Sequence, residues 1–243
     1  MNKINIIARK ELASFFDSLI AYILLVVFLG VSGIFTWLLG GGDVFFRGQA
    51  DLQVFFSWAY WILFVFIAAL TMKMFAEENR SGTIDLLLTR DITDWQVVLG
   101  KFFACLELII IALLCTIPYY ITVATLGDID HGATIAGYIG LIFMSSVYIS
   151  IGLLASALSK NQFVAFLMTL FVGIFFHFVF GMIASNLAGA LGAIVSYLSL
   201  QEHVASITRG VVDSRDLVYF VTLTLLALVL TEVTLGKRNI ASN

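Results

Sequence analysis

Hydrophobic and polar positions fall along this chain in long blocks. Six apolar runs cover residues 19–39, 56–75, 102–125, 135–158, 163–184 and 217–235. Each is close to the roughly 20 residues that carry a helix across the hydrocarbon core of a bilayer. A helix satisfies its own backbone polar groups in lipid, so each run predicts a transmembrane helix. Gly40-Gly41-Gly42-Asp43 closes the first run with turn chemistry, and a short polar loop follows to residue 55. Trp58, Tyr60 and Trp61 open the second run at the depth of an interfacial aromatic belt, and Lys73 near its far end has the reach to snorkel. Pro118 lies inside the third run and predicts a kink over 116–118. Asp128, Asp130 and His131 mark one loop, and residues 159–162 a very tight one.

Two stretches depart from the block pattern. In residues 1–17, Ile4, Ile7, Leu12, Phe15 and Phe16 share one helical stripe while Lys3, Arg9 and Lys10 lie outside it. That is the pattern of an amphipathic helix in the membrane interface. Residues 185–215 are too polar to span, yet Leu187, Leu191, Ile194, Val195 and Leu198 recur at helical spacing. They predict one or two short amphipathic helices at the outer leaflet. The expected fold is an all-α membrane protein with six transmembrane helices, read as one domain over residues 1–243 with no internal repeat.

Composition agrees with the pattern. The 243 residues are 61% hydrophobic and 12% charged, with mean hydropathy +1.04. Soluble domains carry roughly 25% charged residues. Lys and Arg are too few and too scattered for a nucleic-acid partner. Their distribution sets the orientation. Lys3, Arg9, Lys10, Lys73, Arg80, Arg90, Lys101, Lys160, Lys237 and Arg238 fall on one side of the six-span topology. Only Arg47, Arg209 and Arg215 fall on the other, so the first side, with both termini, is expected in the cytoplasm. The first run outlasts a signal-peptide core and shows no small-residue cleavage pattern, so no cleaved leader is expected. Cys105 and Cys115 stand about 15 Å apart along one helix and read as apolar filler.

One polar island remains, residues 77–101, bearing Glu77, Glu78, Arg80, Asp85, Arg90, Asp91, Asp94 and Lys101 between two apolar spans. Ser81, Gly82 and Thr83 offer capping groups for a short helix whose first turn holds Asp85, where a carboxylate suits the positive dipole end. Ile84, Leu86, Leu87 and Leu88 give that helix an apolar side too short to span. The groove of a cytoplasmic partner is a natural place to bury it. Thr93 and Gln96 have capping-box spacing, so the third helix is predicted to begin near Thr93 and to meet the membrane at Gly100-Lys101.

Glu77-Glu78, Ser81-Gly82-Thr83, the aliphatic block 84–88 and Gly100-Lys101, on this topology, resemble the cytoplasmic signature of ABC-2 type transporter permeases. The resemblance covers essentially the whole chain. It is closest in flavour to the stand-alone group that includes gliding-motility and nitrous-oxide-reductase maturation transporters, which the segment 206–220 also resembles. It implies a permease, in export, in the inner membrane of a bacterium. Its expected partners are a cytoplasmic ABC ATPase, a second equal or related permease subunit, and membrane lipid. It also implies that 81–88 is the coupling helix and that Glu77, Glu78 and Arg80 belong to the ATPase-facing segment. Asp85 stands where many relatives have Glu, and Asp91 where many have Pro, so the turn after the helix departs from the pattern.

The chain has no phosphate-binding loop. Gly100-Lys101 is followed by Phe102 and Gly236-Lys237 by Arg238, where a Ser or Thr is needed. ATP and magnesium are therefore expected on the partner, with no cofactor or metal on this chain and no catalysis of its own. Glu107, about two turns into the third span, reads either as a residue of the path or subunit interface or as a carboxylate bonded near the membrane surface. Glu232 and His177 read as locally bonded. His131 and His203 lack the spacing of a metal pair. A non-transporting scaffold that recruits a partner through the same island is the rival reading. An intramembrane enzyme would need a nucleophile–base pair, and the sequence offers none.

Overall fold

The computed structural model describes residues 3–39, 44–82, 92–187, 189–210 and 213–241. Helix α1 (Lys3–Asp17) is amphipathic. Leu19, in the left-handed region at φ 59°, turns the chain into α2 (Ile20–Trp37), the first span. A short α3 (Val44–Arg47) precedes α4 (Gln53–Thr71), and α5 (Ala76–Ser81) extends α4 after a turn. The third span comprises α6 (Asp94–Leu114) and α7 (Ile117–Leu126), with the break at Cys115 and Thr116. The predicted kink is therefore a real interruption, with Pro118 in the first turn of α7, where its missing N–H costs nothing.

Helix α8 (His131–Leu158) is the fourth span. The fifth is α9 (Gln162–Ile174), a π turn (Phe175–Val179) and α10 (Phe180–Asn186). Two short helices, α11 (Ala190–Tyr197) and α12 (Leu200–Thr208), occupy the region predicted to hold such helices. Helix α13 (Ser214–Ala241) is the last span. Six helices are long and apolar enough to cross a membrane, as the block pattern predicts, and there is no strand among the described residues. Six crossings return the chain to the face it starts from, called here the terminal face.

Helix α8 is the axis of the molecule and packs against α4, α6, α9, α12 and α13. Small residues allow the close approach, as in membrane bundles generally: Gly137 faces Phe56 and Gly152 faces Thr71 of α4. Its apolar stretch is 72% buried, against 22% for the first span, 22% for the fifth and 28% for the last. The second, third and fourth spans thus form the core, while the other three keep wide apolar faces exposed. Far from the termini, His203 holds α12 to α13: its Nδ1 lies 2.6 Å from Asp216 Oδ1 and its Nε2 2.8 Å from the Tyr197 carbonyl.

Candidate functional site

At the terminal face, α1, α5 and the start of α6 converge on one lysine. The apolar stripe of α1 lies on α6 with Ala8 and Phe15 buried and Ile7 partly so. The two helices touch at Gly100, where an added Cβ would stand 2.6 Å from Ile7 Cγ2 and 3.3 Å from the Ile4 carbonyl. Glycine is required there because any side chain would push α1 away. Lys101, the next residue, points inward and is 1% exposed. Its ammonium donates to the Met74 carbonyl at 2.7 Å and to Glu78 Oε1 at 2.7 Å. Glu11 Oε1 of α1 lies 3.6 Å away, and the Phe75 ring centroid 5.0 Å away. One cation thus ties α1, the end of the second span and the start of the third.

The turn between α4 and α5 is stapled from α8. Ser156 Oγ accepts the N–H groups of Phe75 at 2.9 Å and Ala76 at 3.0 Å, and donates to the Met72 carbonyl at 3.0 Å. Asn79 Nδ2 donates to the carbonyls of Ala157 at 3.1 Å and Ser159 at 3.0 Å, which dresses the last turn of α8. Four elements are therefore locked together beneath the polar island. A cavity of about 220 Å³ opens among Glu11, Ser14, Lys73, Glu77, Glu78 and Lys101.

The predicted site residues divide along this frame. Glu77, Arg80 and Ser81 are exposed at the terminal face, while Glu78 turns inward to Lys101. Ser81 and Gly82 close the preceding helix: Ser81 Oγ donates back to the Glu77 carbonyl at 2.9 Å, and Gly82 ends α5 at φ 70°. Thr83, Ile84, Asp85, Leu86, Leu87 and Leu88, with Arg90 and Asp91, lie outside the described residues. The capping box at Thr93 is present as predicted, with Gln96 N on Thr93 Oγ1 at 3.4 Å and Thr93 N on Gln96 Oε1 at 3.3 Å.

Lys73 places its ammonium 5.2 Å from the Phe15 ring centroid, so it too faces α1. Glu107 is exposed on the outer surface of α6. His131 Nδ1 lies 2.8 Å from the Tyr120 hydroxyl, and His203 is held by Asp216, so these two histidines have separate partners. Among the described residues, no three His, Cys, Asp or Glu side chains cluster as metal ligands.

The sequence alone points to Lys101 only as the place of membrane entry, and does not single out Glu11, Asn79 or Ser156. Glu11 carried a readable signal. It falls four residues after Ile7 and four before Phe15, on the stripe of α1 that faces protein, where a carboxylate needs a cation. Ser156 carried none.

The family described as ABC-2 family transporter protein matches residues 47–238. No curated protein matches the chain.

Proposed function

Since the chain belongs to the ABC-2 transporter family, as a permease subunit, we propose that it couples ATP hydrolysis on a separate ABC ATPase to export or to force transmission across the membrane. The observation that carries this reading is the Lys101 knot. A segment that receives motion from a partner must be joined stiffly to the spans it moves. Here the two ends of the island, α5 and the start of α6, are fixed to each other through Glu78, Met74 and Lys101, and to α1 through Glu11. Displacement of residues 83–91 by a partner is then passed to the second and third spans together.

In this reading the terminal face is cytoplasmic, as the ten lysines and arginines on that side favour. Glu77 and Arg80, exposed beside the island, meet the ATPase, and residues 84–88 enter its groove. The work is a population shift: ATP binding favours the permease state that the closed ATPase fits better. A second permease subunit covers part of the exposed faces of the outer spans, and Glu107 lies against that subunit or the path between the two.

The test is a reconstituted complex. Asp85→Lys or Leu87→Asp is expected to leave insertion intact while lowering ATPase stimulation and transport by an order of magnitude or more, as when a hot-spot contact of about 2 kcal/mol is lost. Variants that copurify with a working ATPase and keep coupled activity refute the docking. The scaffold reading predicts that ATP changes nothing in the spans, so spin-label distances between spans 2 and 3 with and without ATP separate the two.

A further inference from the structure

A second polar cavity lies at the opposite end of the molecule, between α4, the π turn and α12. It has a volume of about 190 Å³, and its polar lining is Gln53, Ser57, Tyr60, His177, Gln201 and Thr208. Polar groups at membrane depth that are not consumed by their neighbours mark a place where water or a polar ligand must sit. Here a buried chain leads to the cavity. The Tyr148 and Tyr60 hydroxyls share a hydrogen bond at 2.7 Å, and Tyr60 in turn bonds His177 Nδ1. Tyr148 is 0%, Tyr60 5% and His177 4% exposed. His177 sits on the π turn, a distortion frequently found at functional sites. Its Nε2 has no partner among the described residues, while its ring forms part of the cavity wall.

The lining defines the ligand. Among the described residues, no Asp, Glu, Lys or Arg lines the cavity, so an ionic group would lose its hydration without a counter-charge from them. The hydroxyl protons are already used: Ser57 Oγ donates to the Gln53 carbonyl at 2.8 Å and Thr208 Oγ1 to the Val204 carbonyl at 3.0 Å. Gln53 spends one of its two amide N–H groups on the Thr208 carbonyl at 2.8 Å. What remains is a set of acceptor oxygens, together with the second N–H of Gln53, the unspent amide of Gln201 and His177 Nε2, which donates or accepts according to its tautomer. Hydroxyl groups satisfy all of these, because each both donates and accepts. Phe56 and Trp61 add apolar ring surface to the wall. The volume exceeds what a few waters need, at about 30 Å³ each.

We propose that this cavity binds a neutral, hydroxyl-rich group of about one sugar ring's size. The group comes from solution or from the headgroup of a lipid in the adjoining leaflet. Binding here needs no ATPase, so the site stands or falls separately from the coupling reading.

The test uses the full chain in nanodiscs prepared without sugar detergents. Monoglucosyl diacylglycerol is compared with phosphatidylglycerol by native mass spectrometry, and methyl glucoside is titrated against the emission of Trp61, with Trp61→Phe as blank. The expected result is at least about tenfold preference for the glucosyl lipid, or a saturable Trp61 response to the free glucoside, which identifies the source. Gln201→Leu and Ser57→Ala are expected to weaken binding by up to about tenfold each, the usual worth of one hydrogen bond. Both positions are exposed in the fold, so both variants should fold. Equal retention of the charged lipid, indifference to both substitutions, or no binding of either probe (a cavity holding water only) overturns the proposal.

Discussion

A lysine beside an apolar span is usually expected to reach for headgroups, but Lys101 turns inward because two carboxylates and a carbonyl await it there. The residue is 1% exposed, and the side chains of Glu78 and Glu11 keep only 20% of their surface. Removing the cation leaves those carboxylates short of a partner. Lys101→Met is therefore expected to cost about 1.5–3 kcal/mol, the range for hydrogen bonds to charged groups. Thermal unfolding of the purified chain should show this as a lowered midpoint. Glu78→Gln alone should cost less, since the amide oxygen still accepts. Combined with Lys101→Met it should cost less than the sum, with a coupling of roughly 0.5–3 kcal/mol. Strict additivity would show that the two groups do not interact.

Among the elements, α1 depends most on one position. Gly100 lets it lie against α6 with Ile7 in van der Waals contact, and the α1–α6 packing brings Glu11 to Lys101. Gly100→Val should lift α1 away at a cost of about 1–3 kcal/mol, the usual range for overpacking. Amide exchange across residues 3–17 should then accelerate while α8 stays protected. Retained protection in α1 would contradict the contact. The start of α6 makes a smaller prediction: Thr93→Ala removes one arm of the capping box and should destabilise that helix end by about 1 kcal/mol, read as faster exchange at residues 94–97.

For the whole molecule, the contrast in burial between spans organises what each can do. The fourth span, 72% buried, is a fixed axis, whereas the first, fifth and last are mostly open to lipid or to another subunit. The two polar sites lie at opposite ends of the second span: Lys101 contacts residues at its exit, Met74, Phe75 and Glu78, and the neutral cavity contacts Gln53, Ser57 and Tyr60 at its start. A rigid tilt of that span would move both. Spin labels at both ends are expected to shift together when a bound ATPase takes up ATP; movement of one end alone would show that the span bends between them.

The membrane class, six spans, amphipathic first helix, break just before Pro118 and capping box at Thr93 were all legible in the chain. Each follows from local quantities: the length of an apolar run, its period, or a side chain three residues from a backbone amide. Of the candidate site, the sequence located the polar island and its flanks, but it put Glu78 with the ATPase-facing acids and Lys101 at membrane entry, and gave no sign that the two bond each other. Only the packing decided these, because the rotation of α6 and α1 about their axes determines whether a charge meets water or another charge. The same holds for Ser156, whose hydroxyl serves a turn 80 and 81 residues away, and for Tyr60, bonded to groups 88 and 117 residues distant. Hydropathy tells a chain where to cross a membrane, and the contacts between crossings determine which of its few polar groups become a joint, a pocket or a plain surface.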